Sequence, residues 1–476
     1  MKARLFRSSF VLSFLVLSVS SVSFAQKVAI VGATVIDGTG SAPKPDSVIL
    51  IDGKKIVAVG SRADVHIPDD AKVLDESGKY IMPGIVDTNV HLILNTSPAW
   101  LGKYEGRFDQ VATEAAQLEL KNGVTTLFDS WGPLQPLLDV RDRIRRGEVL
   151  GSRLYVAGNI VGLSGPLGRD FQNSSTMGSV SPIFAGRINK IWEENVGPDL
   201  LDDSPDEVRA EIHKYAARGI DFIKFAESSH NDAPPQSFLM FSPEVAKIIV
   251  DEGHKAGIIV QTHTTSEESL RLGLASGIDM GQHCEVIGAH EIPDDLIKIM
   301  IDRHFDCGVL SYRKDYLAAL KEVWDITGGK GAFWSPDVLH YWQEVNIPKL
   351  MRMGVQISLA TDSGTVDPDF RTYASVKLEE HPPYLMGEAH FLWFESMIEK
   401  GMTPMQAIVC ATRNGAAAYH HLSEFGTLEP GKFADLLVLD ASPLENISNV
   451  RKISLVMKEG ATVDRDRLPE HKLLTK

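Results

Sequence analysis

The sequence predicts an α/β protein, namely a (β/α)8 TIM barrel with a small β-sandwich-like domain built from both chain ends, and three observations lead to this prediction. Short β-rich runs occur near both ends of the 476-residue chain. Between them, apolar runs alternate with helical patterns, which is typical of βα units. Polar residues stand at the ends of several of these runs, where barrels carry their active sites.

The first 25 residues predict a cleaved export signal. Basic residues precede an apolar run at 10–17, and small residues, Ser23 and Ala25, stand where a signal peptidase reads the chain. The run is much shorter than the ~20 residues that span a bilayer, so we expect no membrane anchor. We expect a mature chain that starts near Gln26 and is periplasmic or secreted.

Residues 26–82 and 426–476 predict one small β-domain. The N-terminal part reads VAIVGATVIDG and then SVILIDGKKIVAVG, with Asp52-Gly53 as the signal for a tight hairpin. The segments ADLLVLD at 434–440 and ISLVMKEGATV at 453–463 have the same texture. We therefore expect the two ends of the chain to pair in one sheet.

Residues 83–425 predict the barrel. The segment contains eight strand candidates, and eight parallel strands close a barrel. Their near-continuous apolar character is typical of strands buried on both faces. The candidates are 81–94, 124–130, 153–161, 220–227, 258–264, 278–285, 306–312 and 355–364.

The charge and cysteine content exclude several classes of protein. With 48 Lys and Arg against 63 Asp and Glu, the formal net charge of −15 disfavours binding to nucleic acid. Three widely spaced cysteines give no disulfide framework. We expect a small-molecule substrate and no nucleic-acid partner, and the oligomeric state stays open, a homo-oligomer included.

The polar residues at the predicted strand ends form a candidate metal site. Imidazoles and carboxylates are the ligands that Zn²⁺ takes, and separate strands can bring them around one point. Each residue alone is more typical of a structural role, but their joint arrangement favours a site. A lysine inside an apolar strand needs compensation, which carboxylation by CO₂ would provide by making it an anionic ligand. The candidates are Asn89, His91, Lys224, His263, His283 and Asp362.

This pattern resembles the amidohydrolase superfamily of metal-dependent hydrolases. The resemblance rests on the order of these residues and on three phrases: PGIVDTNVH at 83–91, IDFIKFAES at 220–228 and FGTLEPGKFADLLVLDASPLENI at 425–447. Within the superfamily the chain is similar to the imidazolonepropionase-like and prolidase-like branch. That branch has a histidine where this chain has Asn89, and the Asn-x-His variant is similar to phenylurea and molinate hydrolases.

The resemblance implies divalent metal cofactors, and it leaves their number open. A first ion would use Asn89, His91, Lys224 and Asp362, and a second would share an N-carboxylated Lys224 with the histidines of strands five and six. Asparagine is a neutral and weaker ligand, so the first ion is expected to be weakened or lost. A single ion held by the three histidines and Asp362, with Lys224 as a free amine, is the alternative. Zinc is the expected metal, with cobalt and manganese open.

Substrate-binding candidates come from loops that follow the strands. Tyr312 and Arg313 follow strand seven, and Arg313 would clamp a substrate carboxylate. Arg169 lies in the 163–178 loop, a candidate lid. The resemblance adds His390, because relatives have a pocket histidine at a similar helix start. Four aromatic residues are candidates for an apolar pocket: Trp334, Trp342, Phe391 and Trp393.

These residues predict a metal-dependent hydrolase that cleaves a C–N bond of the amide, urea or carbamate type in a small aromatic or apolar substrate. The ion would activate water and polarise a carbonyl, with Asp362 as the general base. A prolidase-like or carboxypeptidase-like enzyme, acting on dipeptides or N-acyl amino acids, is one alternative. A degenerate barrel that binds ligand without catalysis is another.

Overall fold

The computed structural model describes residues 27–172, 174–229, 238–329, 334–365 and 385–475, so the predicted export signal lies outside the described residues. The strands are β1 (Val28–Val35), β2 (Lys44–Asp52), β3 (Lys55–Ser61), β4 (Lys72–Asp75), β5 (Tyr80–Pro83), β6 (Ile85–His91), β7 (Val124–Asp129), β8 (Arg153–Val156), β9 (Ile223–Ala226), β10 (Val260–His263), β11 (Met280–Gln282), β12 (Asp306–Val309), β13 (Gln356–Leu359), β14 (Ser363–Gly364), β15 (Leu436–Leu439), β16 (Ile453–Lys458) and β17 (Ala461–Thr462).

The helices lie mainly between the barrel strands. They are α1 (Pro98–Tyr104), α2 (Phe108–Lys121), α3 (Leu134–Arg145), α4 (Ser174–Ser179), α5 (Pro182–Glu193), α6 (Pro205–Ala216), α7 (Pro243–Lys255), α8 (Glu267–Ser276), α9 (Asp294–Asp302), α10 (Lys314–Thr327), α11 (Pro336–His340), α12 (Ile347–Met353), α13 (Ala389–Glu399), α14 (Pro404–Val409) and α15 (Gly415–Ala418). Within the described ranges, no helix is both long and apolar enough to cross a bilayer.

One sheet joins the two ends of the chain. Its strand order is β17-β16-β15-β5-β1-β2-β3, with β4 paired to β1. The central contact is antiparallel, with Leu437 of β15 opposite Met82 of β5. Gly53 has a φ of 57° in the two-residue turn between β2 and β3, a backbone conformation that glycine adopts without strain. The N-terminal and C-terminal segments therefore share one β-rich layer beside the barrel.

Strands β6 to β13 form the barrel, and all of their ladders are parallel. Hydrogen bonds pair β6, β7 and β8 in one run and β9 to β13 in another. Val161 N donates to Lys224 O at 2.9 Å and joins the first run to the second. On the other side, Asp362 N donates to Asn89 O at 2.9 Å, which closes the ring next to β6. Each strand lies inside one predicted run, and the predicted fold class is confirmed.

The helices begin and end where local chemistry favours it, and they cover the barrel. Ser242 caps α7 by accepting from Val245 N at 3.3 Å, and Pro243 occupies the first helical position. Gly277 ends α8 with a φ of 98°. The apolar faces of these helices pack on the outer faces of the strands and form the largest core of the described residues. This packing leaves the two open ends of the barrel as the places where polar side chains can collect.

A buried acid and a buried histidine link α2 to α13. Glu119 Oε1 accepts from Gly387 N at 2.8 Å, and its Oε2 lies 3.5 Å from His390 Nδ1. His390 Nε2 donates to Asn122 O at 3.0 Å, so Nδ1 is the acceptor nitrogen of the ring. Burial raises the pKa of Glu119 to about 8 and lowers the pKa of His390 to about 3. Burial therefore favours a protonated Glu119 that faces a neutral His390.

The substitution Glu119→Gln tests this arrangement. The pKa of Glu119 in the folded chain lies above its ordinary value of 4.5. The contribution of Glu119 to the free energy of unfolding is therefore fully present below pH 4.5 and is lost as the pH rises towards about 8. The variant keeps an acceptor for Gly387 N and a donor for His390 without titrating. We expect its free energy of unfolding, relative to wild type, to rise by roughly 1 to 3 kcal/mol between pH 5 and pH 8.

Urea unfolding at a series of pH values measures this difference. The exposed Glu268→Gln serves as the control and should follow the wild-type pH profile. A difference between Glu119→Gln and wild type that stays constant over this range would contradict the assignment.

Candidate active site

The end of β6 carries a bulge that precedes two predicted site residues. In the pairing with β7, Asp87 is opposite Leu127 and Val90 is opposite Asp129, so β6 holds one extra residue between these pairs. Asp87 braces the bulge, because its carboxylate accepts from Asn89 N at 3.2 Å and from Thr361 Oγ1 at 2.6 Å. The bulge shifts the alternation of side chains at the point where Asn89 enters the mouth of the barrel.

Two predicted ligands have left-handed backbone conformations. His283 follows β11 with a φ of 64°, and Asp362 precedes β14 with a φ of 54°. Such a φ is uncommon outside glycine, although Asp and His tolerate it better than most residues, and it costs of order 1 to 3 kcal/mol. In a regular strand the side chain after Gln282 would face away from the interior. The left-handed turn allows His283 to face the mouth instead, as its contact with Asp362 requires.

Asp362 is the common member of the contacts at the mouth. Its Oδ1 accepts from Asn89 Nδ2 at 2.8 Å and lies 2.9 Å from His91 Nε2 and 3.9 Å from His283 Nε2. Burial alone would raise its pKa, but the charges of His283, His91 and Lys224 hold the pKa of Asp362 well below its usual range. The carboxylate is therefore ionised, and it remains partly exposed to solvent.

Lys224 lies below the mouth in β9 and contacts the amide of Asn89. Its side chain is buried, and Nζ donates to Asn89 Oδ1 at 3.1 Å. Burial lowers the pKa of Lys224 to about 8, although Asp362 and Asp129 favour the charged form. The two ends of the Asn89 amide are thus engaged, the oxygen by the Lys224 amine and the nitrogen by the Asp362 carboxylate.

The residues at the mouth fit a divalent ion in type. His263 ends β10, and its ring centroid lies 5.1 Å from that of His283, which contacts Asp362 in turn. Three imidazoles and one carboxylate from four strand ends form the donor set of a zinc-like ion. As they stand, the described residues contain no group of three or more His, Cys, Asp or Glu side chains spaced to hold an ion. The fit therefore rests on donor chemistry and on the pairwise contacts to Asp362.

Sequence reasoning missed an acid and an aromatic wall after β7. Asp129 Oδ2 accepts from Leu92 N at 2.7 Å, and burial raises the pKa of Asp129 to about 8. The Trp131 ring lies edge-on to His91 with centroids 6.2 Å apart, and Phe171 stacks on Trp131 at 4.1 Å. The strand-end rule that found His91 would also have found Asp129, because it is the next-to-last residue of the second predicted run and the last residue of β7.

The structure directs two predicted substrate residues away from a substrate role. Arg313 Nη2 donates to Asp315 at 2.7 Å and Nη1 donates to Glu395 at 2.5 Å, so its guanidinium already holds two carboxylates and is not available as the predicted clamp. His390 is buried between α13 and α2, where it contacts Glu119 and Asn122 instead of a pocket. In both cases a partner that is distant in the sequence contacts the side chain, namely Glu395 for Arg313 and Glu119 for His390.

The remaining candidates have mixed outcomes. Tyr312 is half-buried and packs against Trp342 with ring centroids 5.3 Å apart, and Arg169 is exposed. The described part of the 163–178 loop is largely buried and is pinned by Gln172 Nε2, which donates to Thr96 O at 2.6 Å. This packing argues against a lid. Three of the four aromatic pocket candidates are core residues, namely Trp342, Phe391 and Trp393. The fourth, Trp334, is half-buried and packs against this core.

Comparisons with known proteins agree with this architecture. A family model described as the amidohydrolase family matches residues 343–463. A solved structure of molinate hydrolase is 35% identical, covers 95% of this chain and 97% of its own, and has a TM-score of 0.88. The structure of phenylurea hydrolase B is 34% identical with a TM-score of 0.89, covering 95% of this chain and all of its own.

A more distant relative extends the same relationship. The ochratoxinase of Aspergillus niger is 25% identical over 458 residues, which cover 90% of this chain and 85% of that protein. These named relatives are hydrolases, and the two with identities above 30% align over nearly their whole length. The chain is therefore a hydrolase that belongs to the amidohydrolase family.

Proposed function

We propose that this chain is a metal-dependent hydrolase that cleaves a C–N bond of the amide, urea or carbamate type in a small aromatic or apolar substrate. The observation that carries the proposal is the ionised Asp362 carboxylate, which lies at the mouth in contact with His91, His283 and Asn89. The similarity to phenylurea hydrolase B and molinate hydrolase supports the bond type.

The residues at the mouth have distinct roles in this reaction. The three histidines and Asp362 would hold a divalent ion, which supplies a Lewis acid for the substrate carbonyl and makes a water molecule more acidic. The Asp362 carboxylate is ionised and partly exposed at the mouth, so it would receive the proton of the attacking water. It then returns that proton to the departing nitrogen, which leaves as a neutral amine.

The contacts of Asn89 support one ion per chain. Its oxygen accepts from Lys224 Nζ and its nitrogen donates to Asp362, so the amide offers less to a metal than a histidine would. An amine that donates to Asn89 is compatible with an unmodified Lys224. Carboxylation would place a second anion close to Asp362, where repulsion opposes it.

The aromatic wall supports an aromatic substrate. Trp131 is fully buried behind Phe171, whereas Phe171 is only half-buried and forms the outer layer of the wall. An aryl group that stacks on Phe171 would extend the aromatic wall, which begins with Trp131 beside His91. The dipeptide alternative is disfavoured because Arg313, its expected carboxylate clamp, is paired with Asp315 and Glu395.

Metal content tests the number of ions. We expect about one divalent ion per purified wild-type chain and a second in Asn89→His, because an imidazole replaces a weak amide ligand. Elemental analysis of both proteins, with the exposed Glu268→Gln as control, gives the count. Two ions in the wild type would overturn the single-ion proposal. A wild-type protein that contains no ion would overturn the metal-dependent mechanism.

Removal of the Asp362 carboxylate tests the general base. Asp362→Asn should lower kcat for an aryl urea by roughly 10²- to 10⁴-fold, since the amide cannot receive a proton. Asp306→Asn is the matched control, because Asp306 is a buried acid of β12 that contacts Ser358 and Gln356. We expect it to lower the melting temperature and to retain kcat. Equal losses of kcat in the two variants would argue against a chemical role for Asp362.

Truncation of Phe171 tests the substrate class. Phe171→Ala should raise KM for aryl ureas by about tenfold, the equivalent of 1 to 2 kcal/mol of lost stacking, and hardly change it for alkyl ureas. Phe171→Tyr keeps the ring and serves as the conservative control. If KM for both kinds of urea rises equally, Phe171 does not select aryl groups.

A further inference from the structure

The interior of the barrel directly below the candidate site is polar. Barrels of this kind are normally filled by branched aliphatic side chains. Here the layer below the mouth contains hydroxyl and amide side chains, each with no exposed surface. These residues are Thr88, Ser130, Gln261, Gln282 and Ser358.

Hydrogen bonds connect this polar layer across the barrel. Gln282 Nε2 donates to Gln261 Oε1 at 2.8 Å and to Thr88 O at 3.2 Å. Gln261 Nε2 donates to Ser130 Oγ at 2.9 Å. From the end of the barrel opposite the mouth, Tyr419 Oη lies 2.8 Å from Thr88 O and 3.0 Å from Gln261 Oε1, and its single hydrogen is directed between these two acceptors. The two glutamines therefore tie β10 and β11 to β6 and to the end of β7.

The members of the layer are neighbours of the candidate ligands in the chain. Gln282 immediately precedes His283, and Thr88 immediately precedes Asn89. Gln261 lies two residues before His263 in β10 and therefore on the same face of that strand. Any movement of a layer residue along or across the barrel moves the ligand beside it.

Gly308 of β12 leaves the space that the Gln282 amide occupies. A Cβ atom at position 308 would lie 2.2 Å from Gln282 Oε1 and 2.8 Å from its Nε2. The backbone of Gly308 is not left-handed, so the need for glycine here is one of space alone. The chain thus keeps a small residue on one strand so that a buried amide can reach its partners on others.

Stability alone does not explain this layer. Buried amides lose hydration, and a hydrogen-bonded polar group contributes less net free energy than apolar packing of the same volume often does. Buried polar networks do, however, restrict geometry, because each member has a preferred distance and direction.

We propose that the Gln261–Gln282 pair is a positioning device that sets the placement of His263, His283 and Asn89, and through them the affinity and coordination geometry of the bound ion. The inference rests on the proposed metal site, and it adds that the tuning residues are neutral amides one layer below. Hydrogen-bonding residues behind metal ligands typically change metal affinity by 10- to 100-fold.

Cobalt binding to the metal-free full chain tests the proposal. The variants are Gln282→Leu and Gln261→Leu, which remove the link, and Gly308→Ala, which displaces the Gln282 amide without deleting it. Val309→Ala is the matched control, because Val309 adjoins Gly308 but its side chain packs in the apolar core. For each protein, the Co²⁺ dissociation constant, the visible absorption spectrum of the cobalt form and the melting temperature of the metal-free form are measured.

We expect the three layer variants to bind Co²⁺ at least tenfold more weakly and with a shifted visible spectrum, even where the leucine variants keep the wild-type melting temperature. The control should melt earlier and keep both the affinity and the spectrum. If both leucine variants keep the wild-type Co²⁺ affinity and spectrum, the positioning role is overturned, while the proposed metal site is not. The same holds if the Co²⁺ affinities of the variants change only in proportion to their melting temperatures. A wild-type chain that binds no Co²⁺ would overturn the proposed metal site and the positioning role together.

Discussion

The carboxylate of Asp362 must remain ionised at the partly buried mouth of the barrel, and the local structure depends on this constraint. Its low pKa requires hydrogen-bond donors and positive charge around it, which come from Asn89, His91, His283 and Lys224. The backbone makes the same junction, because Asp362 N donates to Asn89 O and closes the ring of strands. The bulge in β6 and the left-handed φ of two ligands are the distortions that bring these groups together. The contact between Asp362 and Asn89 therefore both stabilises the ionised carboxylate and closes the barrel.

The site is destabilising in itself, and the rest of the fold offsets that cost. Left-handed backbone at two non-glycine residues and a buried lysine each oppose folding by a few kcal/mol. The large apolar core between strands and helices, together with the sheet built from both chain ends, supplies the compensating burial. Polar side chains are concentrated in the upper part of the barrel, whereas aromatic residues around Tyr419 fill the opposite end. One end of the barrel thus carries the candidate active site, and the opposite end is packed with aromatic residues that stabilise the fold.

Local sequence patterns predicted most of the fold because strands buried on both faces are apolar along their length. All eight strands lie inside the predicted runs, and the strand-end rule found Asn89, His91 and Asp362. The failures concern residues whose partners are distant in the sequence. Arg313 pairs with Glu395, and His390 contacts Glu119, so their roles depend on packing that local sequence does not reveal. Phe171 was missed because its stacking on Trp131 joins a loop to another strand end.

The choice of asparagine at position 89 explains why the polar layer and the mouth form one system. Asparagine at this position accepts from Lys224 Nζ through its oxygen and donates to Asp362 through its nitrogen. With asparagine, the Lys224 amine below and the Asp362 carboxylate above are joined through one neutral amide. The same neutral amide chemistry recurs one layer lower, where Gln282 connects Gln261 to Thr88. Neutral amides can order charged neighbours without adding charge of their own, which suits a site where the net charge around one carboxylate decides its protonation.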